Sequence, residues 1–418
     1  MLNKNSLWSI AGGAVPAVTA IIAIPILLGS FGYELFAMVS LIMSLAVFFF
    51  VYDFGIGRAV TFFISKQCPE QNGDVTELVG SALFTAFILG VFSSIFIYCL
   101  MPYVAEYWIH IKQKVILEQT VKAFQISALG VLPSILANTC KGILEGKSKF
   151  KEANLCKMFS GSTIFIAPLF VLVIASKSLT HVSAAIVVSR YMVLILYIFC
   201  IAGIFELKSI KVKFTALQTI YKYGAWAALS GFISTMFVYG DRFIVARYIS
   251  SEQLSIYIAS QDILIRYLLI PWSMAVVLMP VFSAGKLSQI ETLKLYQKQQ
   301  KNMVALSFAV TMLVILIVVI FAHYLAGATY SVISKQVVII QMVGIFFCSI
   351  SQLPLIYLYA NGMPRLVTMI YLSEAIVYII IAPVIFSRFG LTGACLIWSG
   401  RLVIEYLLLS FFTERLIK

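Results

Sequence analysis

Uncharged apolar runs of twenty or more residues return along this chain roughly every thirty to forty positions, and each is long enough to cross a bilayer. The first, "LWSIAGGAVPAVTAIIAIPILLGSF", follows Lys4 almost directly and is too long and too poorly punctuated for a cleaved signal peptide, so it reads as a retained helix. In hydrocarbon every backbone N–H and C=O must be satisfied within the protein, which leaves helices or a closed barrel. Barrel strands alternate in short segments, and these runs do not. Only 11% of the 418 residues are charged, against about a quarter in a water-soluble globule. The expected fold is therefore an all-α integral membrane protein.

Spans are expected near 6–28, 36–64, 77–101, 119–140, 152–175, 182–205, 216–246, 253–283, 302–325, 335–359, 365–387 and 391–412, about twelve in all. With the N-terminus inside, nineteen of the 30 Lys and Arg fall on inner segments, which places both termini in the cytoplasm. The net charge of +13 then reflects topology and contact with anionic membrane lipids, and no soluble domain is left to bind nucleic acid. Seven cysteines without CxxC spacing predict neither a disulfide framework nor a metal site. His110, His181 and His323 fall on the expected outer side, as interfacial residues or as sensors of external pH.

The apolar frame is duplicated. Trp8 and Glu34 match Trp226 and Glu252 at an offset of 218, Glu145-Gly146 matches Asn361-Gly362 at 216, Ile166-Ala167-Pro168 matches Ile381-Ala382-Pro383 at 215, and Arg190 matches Arg401 at 211. Ordered matches with a slowly shrinking offset indicate a repeat. Six spans is an even number, so both copies enter from the same side: two parallel six-helix lobes, 1–207 and 208–418. Substrate sites in such transporters lie between lobes near mid-depth.

The buried charges do not follow the repeat. A charge in mid-span costs about 2.5 to 3.5 kcal/mol even on lenient scales, so it faces a partner or a wet cavity. Asp262 and Arg266 are four residues apart on one expected helix face, and Arg401 and Glu405 share that spacing in reverse order. Glu374 and Arg190 have no such local partner. At the repeat offset Asp262 and Arg266 correspond to Ser44 and Phe48, and Asp241-Arg242 to Ala23-Ile24, so these charges belong to the second copy alone. The first copy has Asp53 and Arg58 around Gly55 and Gly57, where two glycines weaken the helix and admit another backbone or a ligand. Two readings stand: internal pairs that fix helix packing, with Arg190 and Arg401 as shared scaffold, or the lining of a route for a charged substrate.

The stretch "YGDRFIVARYISSEQLSIYIASQDIL" at 239–264 resembles the segment joining spans seven and eight in the O-antigen and polysaccharide lipid flippases of the multidrug/oligosaccharidyl-lipid/polysaccharide exporter superfamily. There an Asp followed by a basic residue precedes an apolar turn and a Tyr-bearing helix start; Ser255 stands where the family often has Gly. "YDFGIGRAVTFFISK" at 52–66 is similar to the family's second-span ending. The resemblance implies a multidrug-exporter-like fold in a bacterial inner membrane. The implied function is movement of an isoprenoid-pyrophosphate-linked oligosaccharide from the inner to the outer leaflet. It further implies a cation-lined lumen at Arg58, Arg242 and Arg266, no organic cofactor, coupling to a proton or sodium gradient, and a polysaccharide polymerase of the same pathway as a partner. Acids such as Asp53, Asp262 or Glu374 would carry a coupling proton.

Such a substrate suits the residues: a sugar head needs a wet cavity, a diphosphate needs Arg or Lys, and a lipid tail stays in the bilayer. One rival is a cation-coupled multidrug exporter, yet spans one and ten contain no Asp or Glu and the buried set is rich in Arg. The other is a membrane polymerase or glycosyltransferase, for which the short connectors leave no catalytic domain and no nucleophile triad, metal cluster or phosphate loop is visible.

Overall fold

The computed structural model describes residues 4–51, 55–57, 60–61, 64, 72–109, 111, 113–174, 177–204, 226, 229–283 and 288–417, without the side chains of 4–7, 9–10, 49–51, 72–74, 280, 283 and 317–334. Its contacts divide the chain into two compact units, Met1–Arg247 and Tyr248–Lys418. The expected lobe boundary at 207/208 lies in 205–225, outside the described residues, as does much of the expected seventh span. Residues 229–247 pack with the first unit.

In the first unit the helices are α1 (Lys4–Val51), α2 (Asn72–Tyr103), α3 (Lys114–Ala128), α4 (Val131–Gly146), α5 (Phe150–Ile174), α6 (Leu179–Ala202) and the short α7 (Asp241–Val245). Helix α1 is divided at Gly32, whose φ of 74° is open to glycine at little cost, so the run contains two expected spans. Helix α1 packs along α5, α2 along α3 and α4, and α6 against α3, α4 and α5. Lipid tails are as apolar as Leu, so helix association depends on close packing and on bonds between hydroxyls. Ser127 Oγ and Ser183 Oγ accordingly meet at 2.7 Å between α3 and α6.

The glycine pair noted at 55 and 57 has a structural use. A Cβ on Gly142 of α4 would stand 2.8 Å from the Cα of Gly57. Thr61 Oγ1 bridges this crossing, donating to Gly57 O at 2.8 Å and Gly142 O at 2.9 Å. Another backbone fills the space that the glycines open.

The second unit comprises α8 (Ser251–Leu264), a 3-10 turn (Ile265–Leu268), α9 (Leu269–Ser283), α10 (Gln289–Ala360) and α11 (Pro364–Ile417). Ser288 and Glu291 close a reciprocal cap at the start of α10. Helix α10 contains two stretches suited to crossing, Gln289–Leu316 and Lys335–Ala360, and α11 is divided at Gly390, with φ 53°. Helices α9, α10 and α11 close over a core that includes Phe282, Tyr296, Leu353, Tyr357 and Ile417.

Among the described residues, nine helical stretches are long and apolar enough to span a membrane. Large apolar side chains point outward from them, with Phe92, Phe199 and Val173 between 68% and 83% exposed. Water would penalise that surface and hydrocarbon does not. The chain is a multi-pass helical membrane protein.

Candidate functional site

Arg242 is a deeply buried charge of the first unit. Only 1% of it is exposed, and its neighbour Asp241 is buried equally. A π-helical turn, Met236–Gly240, runs directly into α7 and changes which side chains face α1. Arg242 Nη1 donates to Ser44 Oγ at 2.7 Å, and Ser44 Oγ donates in turn to Ser40 O at 2.7 Å. The guanidinium lies over the Tyr239 ring, 5.2 Å from its centroid. An aromatic face and a charge-assisted hydrogen bond together hold a buried cation at tolerable cost.

Beside this seat is a cavity of about 570 Å³ whose walls come from α1, α2 and the 232–243 stretch, among them Phe48, Phe92, Phe96, Tyr239 and Phe243. Phe92 and Phe96 are well exposed on the outer surface of α2, so the cavity opens through apolar side chains. Chemically it accepts hydrocarbon, with one guanidinium behind its Tyr239 wall. The stretch is anchored further along: Trp108 Nε1 donates to Phe243 O at 2.7 Å, and the Arg247 guanidinium stands 5.9 Å from the Trp108 ring.

Arg190 is 2% exposed and donates through Nη1 to Ser160 Oγ at 2.7 Å, which joins α6 to α5. Its repeat counterpart Arg401 meets different chemistry in the second unit. There Nη1 contacts Glu374 Oε2 at 3.2 Å and Glu405 Oε2 at 2.9 Å, while Tyr371 Oη donates to Glu405 Oε1 at 3.4 Å. The spacing of Arg401 and Glu405 foreshadows one of these contacts. Glu374 enters from the other half of α11, brought alongside by the turn at Gly390.

Asp262 is buried and Arg266 half-buried. The chain tightens into the 3-10 turn between them, and Arg266 Nε donates to the backbone O of Asp262 at 3.3 Å. Asp53 and Arg58 lie outside the described residues. Charge-based reasoning passed over Ser44, Tyr239 and the buried neutral set around α8, where Ser260 Oγ donates to Gln341 Oε1 at 2.6 Å and Gln341 Nε2 donates to Tyr257 O at 3.3 Å. The available signal was an amide or hydroxyl inside a long apolar run.

Residues 26–308 match the family described as polysaccharide biosynthesis protein. The chain belongs to this family. Within the polysaccharide biosynthesis proteins, the chain is similar to a Shigella flexneri protein named "Putative O-antigen transporter", with 24% identity over 99% of the chain and 98% of that protein. Among solved structures it is similar in fold to an inward-facing multidrug resistance transporter of the MATE family and MOP superfamily, with TM-score 0.83, 14% identity, and 98% of each chain covered. It is also similar to the lipid II flippase MurJ in an inward closed conformation, with TM-score 0.74 and 17% identity over 98% of this chain and 87% of that one. These structural likenesses establish the fold that this polysaccharide biosynthesis protein adopts. The relatives are named as transporters and a flippase, and none as an enzyme.

Proposed function

We propose that this chain is a flippase of a bacterial inner membrane that carries an isoprenoid-pyrophosphate-linked oligosaccharide from the inner to the outer leaflet. Two six-helix lobes alternate in access around an Arg-bearing route, with both termini in the cytoplasm. The observation that carries the reading is the Arg242 seat: a buried guanidinium, fixed by Ser44 and Tyr239, behind the wall of an apolar cavity. A diphosphate needs a cation and a polyprenyl chain needs hydrocarbon, and this corner of the first unit supplies both. Arg266, Asp262 and Asp241, with Arg58 and Asp53 beyond the described residues, complete the proposed substrate path. Arg190 and the Glu374–Arg401–Glu405 cluster hold the frame around it.

The membrane potential favours this direction of transport. Moving about two negative charges outward is favoured by about 4 to 5 kcal/mol per 100 mV, inside negative. Basic residues that stay behind while the lipid crosses preserve that drive. A released oligosaccharide-lipid is then substrate for a polymerase facing the outer leaflet.

Complementation tests the reading. In cells lacking the gene, Arg242→Glu and Arg266→Glu should each abolish surface polysaccharide while immunoblots show unchanged protein abundance. Full-length surface glycan from both variants would remove these residues from the route. Drug resistance on overexpression, with surface glycan unaffected by deletion, would favour the multidrug exporter instead.

A further inference from the structure

The Arg401 cluster contains more negative charge than its single guanidinium balances. Glu374 and Glu405 approach the same nitrogen, Nη1, and the side chains of Arg401, Glu374 and Glu405 are 9%, 3% and 8% exposed. Two carboxylates and one guanidinium sum to one uncompensated negative charge. In surroundings this dry an unpaired charge costs several kcal/mol, and the least costly remedy is a proton.

Geometry separates the two acids. Glu405 is satisfied at both oxygens, by Arg401 at Oε2 and by Tyr371 at Oε1. Glu374 is not: Oε2 meets Arg401, while Oε1 is buried and has no hydrogen-bond partner. Glu374 and Arg401 both line a cavity of about 560 Å³ between the halves of α11, whose walls are otherwise mostly apolar, with Ser373 and Tyr378 among the remaining polar side chains. Among the described residues, the other titratable groups facing the cluster are Tyr371 and Tyr378 on α11 and Cys348 on α10, with Tyr359 of α10 near Tyr371. None of these is a second cation.

The repeat supports a dedicated role. At an offset of 215 Glu374 corresponds to Phe159, and at 211 Glu405 corresponds to Leu194, so the first copy folds without either acid. Arg401 is matched by Arg190, which donates to the hydroxyl of Ser160. The second copy has two acids where the first has Phe159 and Leu194.

We propose that Glu374, Arg401 and Glu405 form a proton-binding site, in which one exchangeable proton resides on Glu374 Oε1 and enters from the cavity between the halves of α11. Binding transfers one proton from water to that oxygen and takes the cluster from a charge of minus one to zero; release reverses it. The neutral form is the one whose helices can repack through apolar surroundings without exposing a net charge to lipid.

Infrared titration of the full-length protein in lipid nanodiscs tests this without any substrate. Its outcome is therefore separate from that of the flippase reading. The expected wild-type spectrum contains the carbonyl band of a protonated carboxylic acid, which disappears as the pH is raised. Glu374→Gln should lose that band, and Glu405→Gln should lose it too, because one carboxylate then balances one guanidinium. Arg401→Gln should double it. If Glu374→Gln does not fold, Glu374→Asp should keep the band and shift its titration midpoint. A wild-type spectrum without the band from about pH 5 to pH 9, or an unchanged band in Glu374→Gln, would overturn the proposal.

Discussion

Replacing Arg401 by Leu separates a cluster that stabilises the second unit from one that merely happens to be buried there. With contacts of 3.2 and 2.9 Å, each carboxylate, when ionised, gains about 5 kcal/mol of gross Coulomb attraction at an effective dielectric of about 20. Desolvation of the charged groups, together with repulsion between the acids when both are ionised, offsets most of that gain. Removal of the shared cation alone leaves both acids without compensation, and breaking a buried pair in this way costs about 3 to 5 kcal/mol. Protonation of the stranded acids recovers part of the loss. Heating detergent-solubilised protein and measuring the surviving monodisperse fraction should show Arg401→Leu failing several degrees below wild type. The triple variant Glu374→Leu/Arg401→Leu/Glu405→Leu should recover to wild-type stability or above it, because well-packed apolar residues often match a buried ion cluster. Equal stability of Arg401→Leu and wild type would refute the premise that the guanidinium compensates the buried acids.

Two further substitutions probe the first unit. Ser44→Ala removes the acceptor from Arg242 Nη1 and should cost about 1.5 to 3 kcal/mol in thermal unfolding, the range for a hydrogen bond to a charged group, whereas Ser44→Thr should retain most of it. Gly142→Ala would stabilise an ordinary helix interior by about 1 kcal/mol, but here the added Cβ meets the backbone of Gly57 at 2.8 Å and should destabilise by about 1 to 3 kcal/mol. A more stable Gly142→Ala protein would show that the α4 crossing at Gly57 is looser than described.

Glycine and charge were legible in the sequence to different degrees. The Gly55 and Gly57 pair announced a close approach, because two missing side chains within three residues have few other uses, but the partner, Gly142, lies 85 positions away and gave no sign of itself. The Arg401 and Glu405 contact was readable because four residues is one helical turn. The burial of Arg242 was not legible: nothing in the sequence around it marks the π-helical turn, Met236–Gly240, that precedes it. Asp262 and Arg266 share one helical face by spacing, and the hydrogen bond from Arg266 Nε to the backbone O of Asp262 depends on the fold of the chain where α8 passes into the 3-10 turn.

That this chain is a helical membrane protein follows from its residues alone, because hydropathy and backbone satisfaction are local requirements that twenty consecutive residues meet or fail without help. The sequence also announced a duplicated frame and the positions where that frame is breached by charge. Which charges meet is set by the packing of the helices. Arg242 and Ser44 are 198 positions apart, and Glu374 reaches Arg401 across the turn at Gly390. Such pairings depend on the rotation and crossing of neighbouring helices, which small residues and packing set between elements and which no single run of sequence contains.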